Sequence, residues 1–368
     1  MTPVELRRII EYSAMKILQA GCPPAAYWTL VDVYEKPLDD PVVRDMVKQA
    51  EKYPPRLRLL GQLREDGTWP ISAGRKAEED TGLGPPYGWT YITILRNLQE
   101  LGDYCSDRNE GHIVASLERI LSWQADDGHI PGPHSVAFAS PYHNSFALRD
   151  LLQFGMGDDP RVKKLREWLL AQQRPDGGWI IPKIQDMRYE SEYEHMKMRD
   201  FVDLIEGDDA PAYDPSDYFD VPSCIWSTMM AVRAFSWDLD LVRTDAVRKG
   251  AEFFLDRFFQ RNHHPSYHQS ERNWTTLKYP TYFGCGIIAL DILTYMGYDL
   301  EDERMVKPIE WLVGARSRDG LWHTSDRPHD EKDLMMSSTA LTILARVAGM
   351  SSRRINNPTE IMISGDGA

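Results

Sequence analysis

Glu167-Trp168-Leu169-Leu170-Ala171-Gln172-Gln173-Arg174-Pro175-Asp176-Gly177-Gly178-Trp179 is a helix, a turn and an aromatic anchor in thirteen residues. Its ending recurs along the chain. Asp66-Gly67-Thr68-Trp69 follows Gln62, Asp319-Gly320-Leu321-Trp322 follows an amphipathic run, and Asp127-Gly128 follows Trp123-Gln124 without a closing tryptophan. A unit that repeats at such intervals is one supersecondary element that buries its apolar face only against its neighbours. The stretches upstream also match. Val162–Leu170, Val306–Val313 and, more loosely, Ile113–Leu121 place apolar residues at i, i+3, i+4 and i+7, so each predicts an amphipathic helix. The Asp-Gly pair then turns the chain, because glycine accepts the left-handed conformation that ends a helix and aspartate bonds the backbone beyond it. The tryptophan offers a large flat face to pack between neighbouring helices.

A second kind of helix precedes each amphipathic one. Trp89–Leu98, Ser145–Leu152, Thr228–Phe235, Cys285–Leu293 and Ser338–Leu344 are apolar nearly all round, as a helix packed on several sides must be. A buried helix alternating with a half-exposed one predicts an all-α fold, an α/α toroid (barrel) with an inner and an outer ring. Counting the N-terminal helices Val4–Gln19 and Val42–Gln62, the sequence supplies about six pairs, enough to close a ring within a single domain spanning 1–350. Two inserted loops, 181–222 and 261–279, interrupt the rhythm, and loops of that length are usually lids or binding loops. The polar tail 351–368 is expected to fray.

The chain of 368 residues is 42% hydrophobic and 11% aromatic, ample for a large core. Its formal charge of −14 argues against nucleic-acid or anionic-membrane partners, which select basic surfaces. No stretch approaches the roughly 20 apolar residues that span a bilayer, and the start shows no signal-peptide run, so the expectation is a cytoplasmic protein. Cys22, Cys105, Cys224 and Cys285 are widely spaced, which argues against a disulfide framework or a structural zinc knot.

The segment from Glu167 to Trp179 resembles the "QW" repeat of squalene and oxidosqualene cyclases, and also the repeats of protein prenyltransferase β subunits. The resemblance runs through most of residues 43–350 and implies the α/α toroid those families share, with a cavity beside the N-terminal ends of the inner helices. Such repeats also resemble those of complement-like thioester domains, but around Cys285 the glutamate and glutamine of a thioester are missing. Squalene-type cyclases protonate an alkene with an Asp-x-Asp-Asp-Thr-Ala motif. Here Cys224-Ile225-Trp226-Ser227-Thr228 and Met335-Met336-Ser337-Ser338-Thr339 match only its downstream part, so protonation of that standard kind is excluded. In protein prenyltransferases an Asp-x-Cys and a histidine bind zinc. Val221-Pro222-Ser223-Cys224 and Pro141-Tyr142-His143 resemble these segments, with proline at the aspartate position and the histidine one pair too early. A zinc ion on Cys224, His143 and a displaced Asp220 is one reading; a structural cysteine and a hydrogen-bonded histidine is the other.

By this resemblance the chain is expected to bind an isoprenoid or another apolar small molecule in a central aromatic cavity. His143, Cys224 and Asp220 are its candidate catalytic residues, and Tyr87, Trp89, Tyr142, Asn144, Trp226 and Tyr282 its candidate substrate-binding residues. Whether it catalyses a reaction, and with what cofactor or protein partner, stays open at this stage. Aromatic faces can stabilise a cation, but core packing produces the same pattern. Arg96, Arg149 and Arg233 recur at equivalent points and predict inter-repeat hydrogen bonds, with an anion site as the alternative. Asp39-Asp40 reads as a helix cap, and His264 with His268 as a loop pair split by Pro265. The rival reading is a carbohydrate-active α/α-barrel enzyme, a lyase or hydrolase, with carboxylates supplied by Asp186, Glu190, Asp217 or Asp220. A non-catalytic scaffold is the third.

Overall fold

The structure, a computed structural model, describes residues 2–71, 89–132, 139–263, 270–280, 284–325 and 330–352. Among them the regular structure is helical, with one isolated bridge between Trp179 and Cys224. The chain begins with α1 (Pro3–Gln19), capped by Thr2 and Glu5 in a reciprocal capping box. It continues through α2 (Pro23–Trp28), which runs on as a π-helical turn over Thr29–Val33, then α3 (Pro41–Glu51) and α4 (Pro54–Gln62). Two details differ from the sequence expectation. The single helix expected over Val42–Gln62 is broken at Lys52-Tyr53, because Pro54 and Pro55 cannot continue it but can open the next. The short buried helix α2 was missed because its Pro-Pro start reads as a breaker. Asp40 caps α3 as expected, accepting from the Val42 N–H at 2.8 Å.

The inner helices α5 (Trp89–Asp103), α7 (Pro141–Gln153) and α10 (Ile225–Phe235) alternate with the outer helices α6 (Ile113–Ser122), α8 (Pro160–Ala171) and α11 (Asp245–Leu255). Between α8 and α10 lies α9 (Met198–Glu206). After α11 come the single turn α12 (Arg272–Thr275), inner α13 (Gly286–Tyr295), outer α14 (Glu303–Gly314) and inner α15 (Asp330–Val347). Each inner helix packs on the next, from α5 through α7, α10 and α13 to α15, and α15 packs on α2 and its π turn. Trp28 Nε1 donates to the Asp103 carbonyl at 2.7 Å, joining α2 to α5 and completing the inner circuit.

The repeat chemistry explains the outer ring. Trp69, Trp179 and Trp322 are buried, and each donates its indole N–H to the carbonyl ten residues upstream, on Leu59, Leu169 and Leu312, at 2.7–2.8 Å. Each indole therefore ties the turn back to its own outer helix. The turn glycines Gly67, Gly128, Gly177 and Gly320 have φ between 79° and 105°, a left-handed conformation that suits glycine. They also lie against the next outer helix. A methyl group there would come within 2.6 Å of Ala115 on α6, 2.7 Å of Lys164 on α8, 3.1 Å of Lys249 on α11 and 2.5 Å of Tyr12 on α1. The fourth contact closes the ring: α1, first in sequence, serves as the outer partner of α15, last in sequence, and packs along it. Gln124 and Gln173 staple two of these joints, their amides donating at 2.8 Å to Arg161 and Ala246 carbonyls at the starts of α8 and α11.

The two inserted segments are more than plain loops. Residues 181–222 enclose a small core of their own, built from Ile184, Met187, Tyr193, Phe201 and Ile205. Its polar centre is the buried Asp186, which accepts from Tyr213 Oη at 2.6 Å and from the Met187 N–H at 2.8 Å. The Cys224 N–H bonded to the Trp179 carbonyl at 2.9 Å pins the two ends of the segment together. In the second segment Trp274 is fully buried and donates to the Gln260 carbonyl at 2.7 Å. It is the missing repeat tryptophan, displaced fourteen residues from its acceptor where the others are ten.

Candidate functional site on the inner helices

Sequence reasoning points to the N-terminal turns of the inner helices. At the start of α7, Ser140 caps the helix, and its Oγ lies 3.0 Å from Nδ1 of the buried His143. Tyr142 is half-buried and meets His143 and Phe146 edge-on, with ring centroids 5.2 Å apart in each case. Asn144 is fully buried and works as a clamp: its amide accepts from the Ile130 N–H at 2.7 Å and donates to the Ile130 carbonyl at 3.0 Å. Asn144 thus holds the preceding turn, which gives it a structural task. Asn144→Ala should lower stability by about 1–3 kcal/mol, since it strands two backbone groups away from water, and a denaturant titration reads it.

At the start of α10, Cys224 is buried and its Sγ accepts from the Ser227 N–H and from Asn262 Nδ2, each at 3.3 Å. Burial pushes the hydroxyl of Tyr189, from the first insertion, above its usual value, and Cys224 adds to the rise. Trp226 is buried against Trp274, with ring centroids 5.0 Å apart. Trp89, the first residue of α5, is half-buried. Asp220 is exposed in the insertion, whereas His143 and Cys224 are buried. Among the described residues no group of three or more His, Cys, Asp or Glu side chains converges to hold a metal. The zinc reading on His143, Cys224 and Asp220 therefore does not fit the geometry. Tyr87, Tyr282, His264 and His268 lie outside the described residues.

Sequence reasoning missed a second constellation, along α5. The inner helices α10 and α13 are buried on every side but for the last residue of α13, and α7 is buried throughout except at Tyr142. By contrast α5 keeps Ile92, Thr93, Arg96, Asn97 and Glu100 half-buried, a stripe at helical spacing. Residual exposure at this spacing shows that one face of α5 is left partly open. Burial pushes the Glu100 carboxyl up to about 7, despite the pull of Arg96 and Lys332; Asp103 and Glu331 add to the rise. Asp103 is held by Arg149 at 3.6 Å and by Tyr279 Oη at 3.2 Å, and Glu331 accepts from Tyr104 Oη at 2.7 Å. Lys278 and Lys332 stand exposed at the edge of this cluster. Glu100 escaped notice because, before the Leu101-Gly102 turn, it reads as an ordinary polar helix end.

Arg149 reaches from α7 to α5 as an ion pair, with its guanidinium 3.6 Å from the Asp103 carboxylate. Arg346, which the sequence reading did not single out, does the same between α15 and α13, donating to the Asp291 carboxylate at 3.1 Å and its carbonyl at 2.7 Å. On the outer edge, both ring nitrogens of His323 face carboxylates, Asp333 at 2.7 Å and Asp319 at 2.8 Å. Those hydrogen bonds hold its pKa above the usual histidine value, against the opposing effect of burial. Asp150, fully buried, is pushed up by desolvation against the pull of Arg149 and Arg233.

These three groups contribute to the pH dependence of stability. Glu100 and Asp150 bind protons in the folded state over a range where the unfolded chain has released them, so stability falls as pH rises from about 4 to about 7. His323 acts in the same sense, because its raised folded value gives a contribution present below pH ~6.5 and lost as pH rises through that folded value. The melting temperature should therefore drop between pH 5 and pH 8. Glu100→Gln should flatten part of that slope, by up to roughly 3 kcal/mol at ~1.4 kcal/mol per unit. A melting temperature that climbs over this range would contradict the assignment.

No family model matches the chain, and no curated protein does. Among solved structures it is similar to a protein from Actinoplanes, at 14% identity and a TM-score of 0.43, covering 93% of this chain and 99% of that one. It is also similar to a type II terpene cyclase from Scytonema in complex with geranylgeranyl dihydroxybenzoate, at 11% identity and a TM-score of 0.31, covering 83% of this chain and 97% of that one. Likenesses this distant bear on neither substrate nor reaction. No described helix is long and apolar enough to cross a membrane.

Proposed function

We propose that the ring takes an isoprenoid or a similarly apolar small molecule into its interior, as a terpenoid-cyclase-like or prenyltransferase-like protein. The observation that carries this reading is the half-buried stripe on α5, whose residues Ile92, Thr93, Arg96, Asn97 and Glu100 are left partly open by their neighbours. Ile92 on that stripe, Trp89 at its head and Tyr142 on the adjacent α7 supply apolar and aromatic surface for such a ligand. His143 and Cys224 are the candidate polar groups in this reading, with His143 as the proton acceptor or donor. Asp220, exposed in the insertion, is given no catalytic part.

Thermal unfolding with farnesol as the probe tests it. Binding raises apparent stability by about 2.7 kcal/mol at a hundredfold excess over the dissociation constant. A melting curve that farnesol leaves unmoved contradicts the reading. A second reading has one observation in its favour: burial pushes the Glu100 carboxyl up to about 7, with Glu331 adding to the rise, and carbohydrate-active enzymes work with a pair of carboxyl groups. Stabilisation by neutral oligosaccharides in place of farnesol would select it.

A further inference from the structure

A cavity of about 470 Å³ lies where the end of the outer helix α8, Lys249 of the outer helix α11 and the insertion 181–222 meet. That volume falls within the range of small-molecule sites. Ile180, Pro182, Pro215 and Phe219 give it apolar walls, and Phe219 is 53% exposed. Tyr213 is also in the wall; its hydroxyl donates to Asp186 at 2.6 Å and its ring stacks on Tyr218, so this side is fixed before any ligand arrives. The charge around the cavity runs against that of the chain. The insertion carries twelve Asp and Glu against four Lys and Arg. Yet no carboxylate is among the described residues lining the cavity, whereas Arg174 and Lys249 are. Nearby acids are engaged elsewhere: Asp176 accepts from Ser223 Oγ at 2.7 Å, Asp186 from Tyr213, and Asp214 from the Ser216 N–H at 2.9 Å. Arg174 is held only by backbone carbonyls, those of Tyr218 and, at 2.8 Å, Val221, and its buried Nε has no hydrogen-bond partner among the described residues. Neither Arg174 nor Lys249 forms an ion pair with any described residue. Lys183 adds a third cation, its Nζ 5.7 Å from the centre of the Tyr213 ring. A half-buried guanidinium bonded to neutral carbonyls keeps its whole charge, and an anion beside it offsets the cost of that burial.

We propose that this cavity binds a small anion carried on a flat ring, its carboxylate or phosphate met by Arg174 and Lys249 and its ring laid against Pro182, Pro215 and Phe219. What carries the proposal is the meeting of unpaired cations and apolar rings at a cavity whose described lining holds no carboxylate. Gln172, half-buried in the wall and without a side-chain hydrogen bond to any described residue, offers its amide to a polar edge of the ligand. Such a ligand touches α8, α11 and the insertion at once, so its binding ties the insertion to the outer ring. The site is separate from the inner helices and does not rest on the apolar-ligand reading above.

Fluorescence titration of the full chain at neutral pH with three probes of one body and different heads tests this: naphthol, naphthoate and naphthyl phosphate. The better anion should bind about tenfold more tightly than naphthol, as a charge-assisted contact gives, and the tighter of the two anions names the head group. Lys249→Gln should lose most of the anion preference, and Lys249→Arg should keep it. Phe219→Ser should weaken both anions severalfold by removing the apolar wall. Lys249 and Phe219 are exposed, so both variants should fold, and their unliganded melting curves check that. Naphthol binding as tightly as both anions, an anion preference that survives Lys249→Gln, or failure of all three probes to bind overturns the site. Farnesol binding by the Lys249→Gln and Phe219→Ser variants should match the wild type, so this site and the reading of the ring interior fail separately.

Discussion

Trp179→Ala is expected to cost about 3–5 kcal/mol, the range for emptying a large buried aromatic site. The ring is fully buried, lies 5.8 Å from Phe235 on α10 and donates to the Leu169 carbonyl at 2.8 Å. Its backbone N–H is also taken, by Thr228 Oγ1 at 2.9 Å, as the Trp322 N–H is by Ser337 Oγ at 2.8 Å. The side chain thus joins an outer helix, a turn and the next inner helix, and its loss disturbs all three. Trp179→Phe keeps most of the packing but abandons the carbonyl and should cost less, leaving one buried acceptor unpaired. Equilibrium denaturation of both variants checks the order. A Trp179→Ala protein as stable as the wild type would mean the repeat tryptophans do not hold the ring.

The second large effect is expected at the seam between the two ends of the chain. Gly320→Val puts a β-branched residue at φ 94° and drives its side chain into the ring of Tyr12 on α1. Backbone strain and overpacking together should cost about 2–4 kcal/mol. Arg316 stacks over the same tyrosine, 6.0 Å from its centroid, so a Tyr12 ring displaced by the new side chain also gives up this contact. Gly297, whose φ is also positive but which has open space around its Cβ position, is the control: Gly297→Val should show the strain without the clash. Equal melting temperatures for the two variants would deny that α1 closes the ring against α14 and α15.

The fold was largely legible because its information is local and repeated. The Asp-Gly-x-Trp turns announce where each outer helix ends, and the all-round apolar runs announce the inner helices. What failed were places where local chemistry contradicts the element it belongs to. Prolines hid α2 and split α3 from α4, and four extra residues hid Trp274 as a repeat tryptophan. The insertion 181–222 looked like a loop because its small core, centred on Phe201 and Asp186, is assembled from scattered residues without a period. The site was less legible. Asn144 and Cys224 stand where the resemblance expects a cavity wall, yet their recorded bonds hold turns and caps. Glu100 carries the perturbed carboxyl because the fold buries it beside Asp103 and Glu331, against the pull of Arg96 and Lys332, and that burial is a tertiary fact with no sequence spacing to betray it.

The proposed function requires that the interior of the ring receive an apolar small molecule. Native mass spectrometry of the intact protein, before and after incubation with farnesol, tests it most directly. The account predicts a one-to-one complex, retained on the folded ion and released as the free alcohol on solvent extraction. The bare polypeptide mass under both conditions would contradict it.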